Sequence, residues 1–494
     1  MIKLDKDKKQ QKSKTMAYQK LKGKKVLLVG LGILGGGVAT ALWLLKQKTK
    51  LTITDLKSSQ ELKKSIKKLS PYKQQIKFVL GKHRFIDFKN NDLIIINPAV
   101  STINNPYLNY ARKLNKPIEN DLSLLFKLTD NFKVCITGTR GKTTTANWAY
   151  FFIKNKFKNA LLGGNIPEYP IFSLVDKIKN NEPLILETSC FQLELFAERP
   201  NIAVITSLYR DHLNRYKTMK TYAKIKAKIF LNQTSSDYLV LNYDNPWTKY
   251  FLSLKPKSQI YYFSLKPLKP KENGIFIKNG KIYFKESLKE TLVLNPDQFE
   301  KKWGKHNVSN LLAAILIAKL SGLSFKEIKK QIPDLPQIKM RQEIIFENQK
   351  LKIINDSAGT SPEAGIAAIS RFSKERKNLI LIAGGTDKDL NFGEFALKIK
   401  QNIKPENLIL LNGSATTKLI TDLKKIKYSP NFNLFENLNE CLKYALSLYK
   451  KNKKTKKQTI IVFSPSSASF EKFKNEFDRG EKFNQIVKRL TRKV

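Results

Sequence analysis

Short apolar runs recur along the chain, and most run into glycine or a polar turn and then into residues with helical spacing. Lys25-Val-Leu-Leu-Val29 leads through Gly30-Leu-Gly32-Ile-Leu-Gly35 into a helical pattern ending near Leu45. Leu51-Thr-Ile-Thr-Asp55, Ile76–Leu80 and Asp92–Asn97 are further strand signals. Val134-Cys-Ile-Thr137 opens a second series through Gly138–Thr144 into the helical run Ala146–Ile153, followed by strand runs at Leu184–Glu187, Asn201–Thr206 and Tyr238–Asn242. Strands alternating with helices predict mostly parallel sheets. Between Phe251 and Val293 the pattern changes to short alternating stretches with Asn-Gly pairs at 273–274 and 279–280, which predicts antiparallel strands extending the sheet. A Leu- and Ala-rich helix to Leu320 then opens behind Gly304-Lys-His306-Asn307-Val-Ser-Asn310. A third series has strands at Leu351–Asn355, Leu379–Ala383, Leu408–Leu411 and Thr459–Phe463, each meeting a polar loop. The predicted fold is α/β in three domains. A Rossmann-like domain spans 23–122, a central P-loop ATPase-like, mostly parallel sheet spans 123–336, and a second Rossmann-like domain spans 337–494. Residues 1–22 read as a basic, disordered tail.

Length agrees with this division, since 494 residues suit three separate cores. The longest apolar runs are strand-length, too short to span a membrane. The Lys- and Gln-rich N-terminus lacks the apolar segment of a secretory signal. Cys135, Cys190 and Cys441 have no metal-like spacing and imply no disulfide framework. A cytoplasmic protein is expected. The net charge of +50 changes the picture less than its size suggests. Lysines are spread through every segment and arginine, the usual base reader, is scarce. This reads as a solvated surface with a compositional bias, well suited to anionic substrates, and specific nucleic-acid binding is not expected. Real polyanion affinity is the alternative.

The chemistry centres on Gly138-Thr139-Arg140-Gly141-Lys142-Thr143-Thr144, between a strand and a helix. Glycines there let backbone N–H groups face phosphate oxygens, and the helix N-terminus adds a favourable field. Lys142 can reach β/γ-phosphates and Thr143 can hold Mg²⁺. The common motif has a further glycine where this chain has Ile136, so the loop is a short variant; an ordinary glycine turn is the plain alternative. Glu187 at a strand exit is placed for a divalent metal, or merely caps a helix. His212, just beyond the next strand, is a metal or phosphate candidate, or a loop histidine. The lysines around Tyr222–Phe230 look like a solvated helical face, and His83 like a surface histidine. The turn Asn97-Pro98-Ala99-Val100 closes a strand at its carboxyl end, where open α/β sheets bind ligands. Gly30, Gly32 and Gly35, with Asp55 twenty residues further on, match a dinucleotide fingerprint. Taken alone it fits NAD, another phosphorylated nucleotide, or simple packing of helix on strand.

Taken in order, these motifs resemble the Mur ligases, ATP-dependent amide-forming enzymes of peptidoglycan precursor synthesis. The resemblance runs over nearly all of the chain after residue 23. It rests on Gly138–Thr144, Glu187-Thr-Ser-Cys-Phe-Gln-Leu193, Asp211-His212, Gly304–Asn310, Arg341-Gln-Glu343, Asn355-Asp356-Ser357, Gly384-Gly-Thr-Asp-Lys388, Ser464–Phe470 and Arg479-Gly480. Within the family the match is to the branch that adds D-glutamate to UDP-N-acetylmuramoyl-L-alanine. The resemblance implies ATP and two Mg²⁺ ions. Lys142 and Thr143 would serve phosphate and the first metal, Glu187 and His212 the second, and Lys226 would be carbamylated, with Lys224 and Lys228 as rival registers. Asn307 would meet adenine, and Arg341 and Asp356 the phosphates and ribose. Gly32, Gly35 and Gly36 would line the UDP diphosphate and Asp55 the uridine. Asn165 would touch the muramoyl group, and Thr360, Lys388 and Ser469 the D-glutamate carboxylates. A monomer is expected. Arg140 stands where Asn is usual, Cys190 where Ser is common, Asn97-Pro-Ala99 for a Ser-Pro-Gly type turn, and Ala358-Gly359 for Lys-Ala. Rival readings are another Mur-type or folylpolyglutamate-type ligase, a basic P-loop ATPase acting on nucleic acid, and a non-catalytic scaffold.

Overall fold

A computed structural model describes residues 21–373, 378–429, 431–451 and 458–492. Most of the expected basic tail lies outside the described residues. The chain divides into two compact units. The first runs to Pro296 and includes Val308–Leu335; the second takes Asp297–Asn307 and Pro336 onward.

The first unit holds two sheets. Five parallel strands, β1 (Lys25–Val29), β2 (Lys50–Asp55), β3 (Ile76–Leu80), β4 (Leu93–Ile96) and β5 (Ile118–Glu119), lie in the order β3-β2-β1-β4-β5. The chain moves outward from β1 on one side, then crosses back to β4. The switch between β1 and β4 opens a crevice at the carboxyl ends, where such sheets take ligands.

The second sheet has nine strands: β6 (Lys133–Thr137), β7 (Leu161–Gly164), β8 (Leu184–Glu187), β9 (Ile202–Ile205), β10 (Tyr238–Asn242), β11 (Gln259–Ser264), β12 (Gly274–Lys278), β13 (Lys281–Glu286) and β14 (Lys289–Leu294). Their order is β14-β13-β12-β11-β10-β9-β6-β8-β7. The expected all-antiparallel extension is corrected. β10, β11 and β12 pair in parallel, and only β12-β13-β14 form hairpins. Asn273 and Gly274 lead into β12 rather than making a tight turn. Asn279 and Gly280, at φ 50° and 72°, do make one, since that turn needs two left-handed residues. Behind β6 the helix Lys142–Lys156 packs against the helix Val308–Leu320, whose residues Leu311–Ala318 are all buried. A helix apolar all round is the pattern of one enclosed by its neighbours. The two sheets of this unit are joined by Trp43 stacked on Phe172 at 4.5 Å and Lys46 paired with Asp176.

The second unit carries β15 (Glu343–Glu347), β16 (Leu351–Asn355), β17 (Asn378–Ala383), β18 (Leu408–Leu411), β19 (Asn433–Phe435) and β20 (Thr459–Phe463), in the order β15-β16-β20-β17-β18-β19. All neighbours are parallel except β15, which pairs antiparallel at the edge. Among the described residues, no helix is long and apolar enough to cross a membrane.

Candidate active site

Strand adjacency assembles the site. β6 lies between β8 and β9, with Ile136 level with Glu187 and Thr137 level with Ile205. The phosphate loop, Glu187 and the segment leading to His212 therefore leave the sheet side by side. The loop is braced on that segment. Thr139 N donates to Ser207 O at 2.8 Å, Arg140 N to Ser207 Oγ at 3.0 Å, and Thr206 Oγ1 to Arg140 O at 2.6 Å. Gly141 starts the helix at φ 85°, and a Cβ there would lie 2.4 Å from Asn310 Oδ1, so only glycine fits. Lys142 Nζ folds onto its own loop, donating to Gly138 O at 3.0 Å and Thr139 O at 3.3 Å. Thr143 lies half-buried in the first helical turn and Thr144 is buried beneath it. Arg140 pairs with Asp211 at 3.2 Å, which ties the loop to the residue before His212. His212 itself is left-handed at φ 54°, with its ring edge-on to Phe191 at 4.9 Å.

Glu187 is 3% exposed; Asn165 Nδ2 donates to its Oε1 at 3.3 Å, and its Oε2 is buried without a partner. A carboxylate oxygen left so in a protein interior calls for a cation or a donor. The helix Met219–Ala227 settles which lysine faces inward. Lys224 is exposed and Lys228 half-buried, whereas Lys226 is 1% exposed. Lys226 Nζ donates to Gly138 O at 3.0 Å and Thr137 Oγ1 at 3.3 Å, and lies 4.8 Å over the Tyr222 ring. The reading of this helix as a wholly solvated face is thus corrected at Lys226. Burial pushes its amine down to about 8, and the Lys142 charge pushes the same way against the pull of Asp211 and Glu187.

In the first sheet, Asp55 Oδ2 accepts from Gly32 N at 3.0 Å and its Oδ1 from Lys57 N at 2.9 Å, so the carboxylate braces the glycine loop. Gly35 caps the helix Gly36–Lys46 at φ 99°, and Gly36 has open space around it. The glycine demanded by close packing is Gly37, where a Cβ would sit 2.2 Å from Leu31 O. Across the crevice, Asn97 and Val100 touch the positions a side chain at Gly30 would fill. His83 is not a simple surface residue. It is half-buried, bonded to Thr54 Oγ1 at 2.8 Å and edge-on to Tyr107; burial lowers its pKa, opposed by Asp55.

The second unit carries Asn307, Arg341 and Asp356. Asn307 Nδ2 donates to Trp303 O at 2.9 Å. Asp356 accepts from Gln342 N at 3.1 Å and Ser464 Oγ at 2.7 Å. Burial raises its carboxyl to about 7, opposed by those bonds and by Arg341 and Arg371. Ser469 lines a hollow with Gly385, Thr386, Phe473 and Arg479, and its Oγ is buried without a partner. Arg479 is fully buried and donates to the carbonyls of Ala468, Ser357 and Ser467. Thr360 is half-buried, Lys388 is exposed, and neither lines that hollow.

Residues 136–318 match the Mur ligase middle domain, and residues 24–119 the Mur ligase MurD-like N-terminal domain. Over 485 residues the chain is 36% identical to the UDP-N-acetylmuramoylalanine–D-glutamate ligase of Borreliella burgdorferi, covering 96% of this chain and 100% of that protein. The chain belongs to the Mur ligase family. It is also 31% identical over 482 residues to the ligase of the same name from a Roseiflexus species, covering 95% and 100%. A UDP-N-acetylmuramate-alanine ligase from Thermotoga maritima shares the fold, with a TM-score of 0.57 at 20% identity over 95% of this chain and 100% of that one.

For a Mur ligase site, several structural residues escaped sequence reasoning. Thr206 and Ser207 brace the phosphate loop, and nothing in their spacing announces it. Gly37 was detectable only as the last of three consecutive glycines. Buried Glu194 and half-buried Arg215, partners at 2.7 Å, carried no signal beyond their charges.

Proposed function

We infer that this Mur ligase joins D-glutamate to UDP-N-acetylmuramoyl-L-alanine with ATP, in peptidoglycan precursor synthesis. The observation that carries the reading is the full-length match, at 36% identity, to a D-glutamate ligase. The side-by-side exit of the phosphate loop, Glu187 and His212 from one sheet supports it. In the reaction, the alanyl carboxylate attacks the γ-phosphorus of ATP and ADP leaves, giving an acyl phosphate. The D-glutamate amine then attacks the acyl carbon, phosphate leaves, and an amide remains. Lys142 exchanges its loop carbonyls for γ-phosphate oxygens and neutralises charge there.

Two Mg²⁺ ions fit the residues present, with Thr143 serving one and Glu187 and His212 the other. The unpartnered Glu187 Oε2 is the supporting observation. Bound ions supply charge neutralisation on the transferred phosphoryl group. Lys226 is carbamylated in this reading. Its amine is held low enough to be substantially neutral near pH 8, which reaction with CO₂ requires. Loss of a proton then leaves a carboxylate-like ligand facing the same site.

The crevice at Gly32, Gly35, Gly36 and Asp55 takes the UDP-sugar, and Asn165 guides its muramoyl end past Glu187. Asn307, Arg341 and Asp356 serve ATP, and Thr360, Lys388 and Ser469 the amino acid. Residues 23–122, 123–336 and 337–494 act as the sugar-nucleotide, ATP and amino-acid domains of a cytoplasmic monomer. Phosphate release measured with UDP-N-acetylmuramoyl-L-alanine, ATP and a panel of amino acids tests the reading. Release dependent on D-glutamate is expected. Release that ignores D-glutamate, or is stimulated by DNA or RNA instead, would overturn it.

A further inference from the structure

Glu194 and Arg215 lie outside every role assigned above, yet they join the two sheets of the first unit through a network that pairs both oxygens of the Glu194 carboxylate. The Glu194 side chain is 1% exposed and that of Arg215 13%. Glu194 Oε2 accepts from Arg215 Nη2 at 2.7 Å, from Thr102 Oγ1 at 2.8 Å and from Thr102 N at 3.1 Å. Its Oε1 accepts from Tyr216 Oη at 2.8 Å. Arg215 reaches the same turn directly, donating to Ala99 O at 3.2 Å and Val100 O at 3.0 Å.

Both ends of this network meet substrate-binding machinery. On one side, the 97–102 turn follows β4 and walls the crevice opposite the glycine loop, with Asn97 and Val100 packed at Gly30. On the other side, Arg215 stands three residues after His212, and its guanidinium lies 4.4 Å over Phe191, which contacts the His212 ring. Tyr216 stacks on Tyr222 at 5.5 Å, and Tyr222 underlies Lys226. Lys228 Nζ, from the helix that carries Lys226, donates to Glu194 O at 2.6 Å. A guanidinium suits this junction because its rigid fork can serve two carbonyls and a carboxylate together, which an ammonium cannot do in one geometry.

We propose that Glu194 and Arg215 form a positioning clamp that fixes the sugar-nucleotide crevice against the phosphate-loop site, so that the bound substrate delivers its carboxylate to the γ-phosphate. The proposal rests on the ligase reading above. Neither residue touches reacting atoms; each acts through the 97–102 turn and the His212 segment. Attack geometry is sensitive to displacements of about an ångström, so a loosened clamp affects rate as well as binding.

The test uses the full chain and two substitutions. Arg215→Lys keeps the charge but loses the fork. Thr102→Val removes one hydroxyl from the turn side and leaves the Glu194–Arg215 pair intact. For each, KM is measured for the sugar nucleotide, ATP and D-glutamate, together with kcat and Tm. Arg215→Lys is expected to raise KM for the sugar nucleotide about tenfold and to lower kcat, with KM for D-glutamate within about twofold of the parent; Thr102→Val should show the same split, weaker. Unchanged constants, or all three KM values rising together, would overturn the clamp. If Arg215→Lys fails to fold, Thr102→Val decides alone. A parent protein with no D-glutamate-dependent turnover would defeat the ligase reading, and the clamp with it; an active parent with unmoved variants would defeat only the clamp.

Discussion

Among the lysines of the Met219–Ala227 helix and its cap, burial alone picks out Lys226, because helical spacing turns Lys224 outward and leaves the capping Lys228 half-buried on the flank. Lys226→Ala is expected to lower ligase activity by about two orders of magnitude, the scale of losing one electrostatic group at a transferring centre. Added acetate should restore part of it by standing in for the proposed carbamate. Full activity without acetate would sink the assignment. Asp356 allows a second residue-level test. Its folded-state pKa of about 7 lies above the ordinary carboxylate value, so the native state binds the proton more tightly than the unfolded chain does. Stability from this group therefore falls as pH rises from about 4 to about 7, and the deficit is complete above that. Asp356→Asn should raise stability at pH 8 by up to about 4 kcal/mol, and change it little at pH 4. Urea melts at the two pH values check this, and equal effects at both would contradict it.

At the scale of elements, the glycine loop after β1 separates two kinds of glycine that look alike in sequence. Gly37 lies against the Leu31 carbonyl, while Gly36 faces open space. Gly37→Ala must displace backbone and is expected to cost about 1–3 kcal/mol. Gly36→Ala should leave stability unchanged or raise it by up to about 1 kcal/mol, since alanine lowers the entropy of the unfolded chain. Thermal melts of the pair decide, and equal losses would contradict the packing argument. Most central strands were legible because each apolar run is closed by glycine or polar residues, whereas the short strands β5, β7, β15 and β19 and many of the helices were not. The pairing sense of β11 and β12 was not, because alternation reports which face is buried and says nothing of which neighbour a strand meets.

For the whole molecule, the lysine excess bears on substrates more than on partners. Exposed lysines spread over the surface should draw anionic substrates through a field that salt screens. KM for ATP and for the sugar nucleotide is expected to rise severalfold between about 0.05 and about 0.5 M salt, with no stimulation of phosphate release by nucleic acid. A KM indifferent to salt would remove any functional role for the charge. Resemblance of ordered motifs was enough to reach the family from sequence, because each motif is a short contiguous stretch and their order along the chain is read directly.

By itself, the sequence determined the alternation of strands and helices and the phosphate loop, both properties of contiguous residues, and the ligase family, through the order of short motifs along the chain. Only the tertiary structure decided that Lys226 is the buried lysine, that Thr206 and Ser207 brace the loop, and that Glu194 and Arg215 join the two sheets. Each of these depends on residues far apart in the chain, brought together by strand order and burial. Charge and spacing within a segment carry no information about such neighbours.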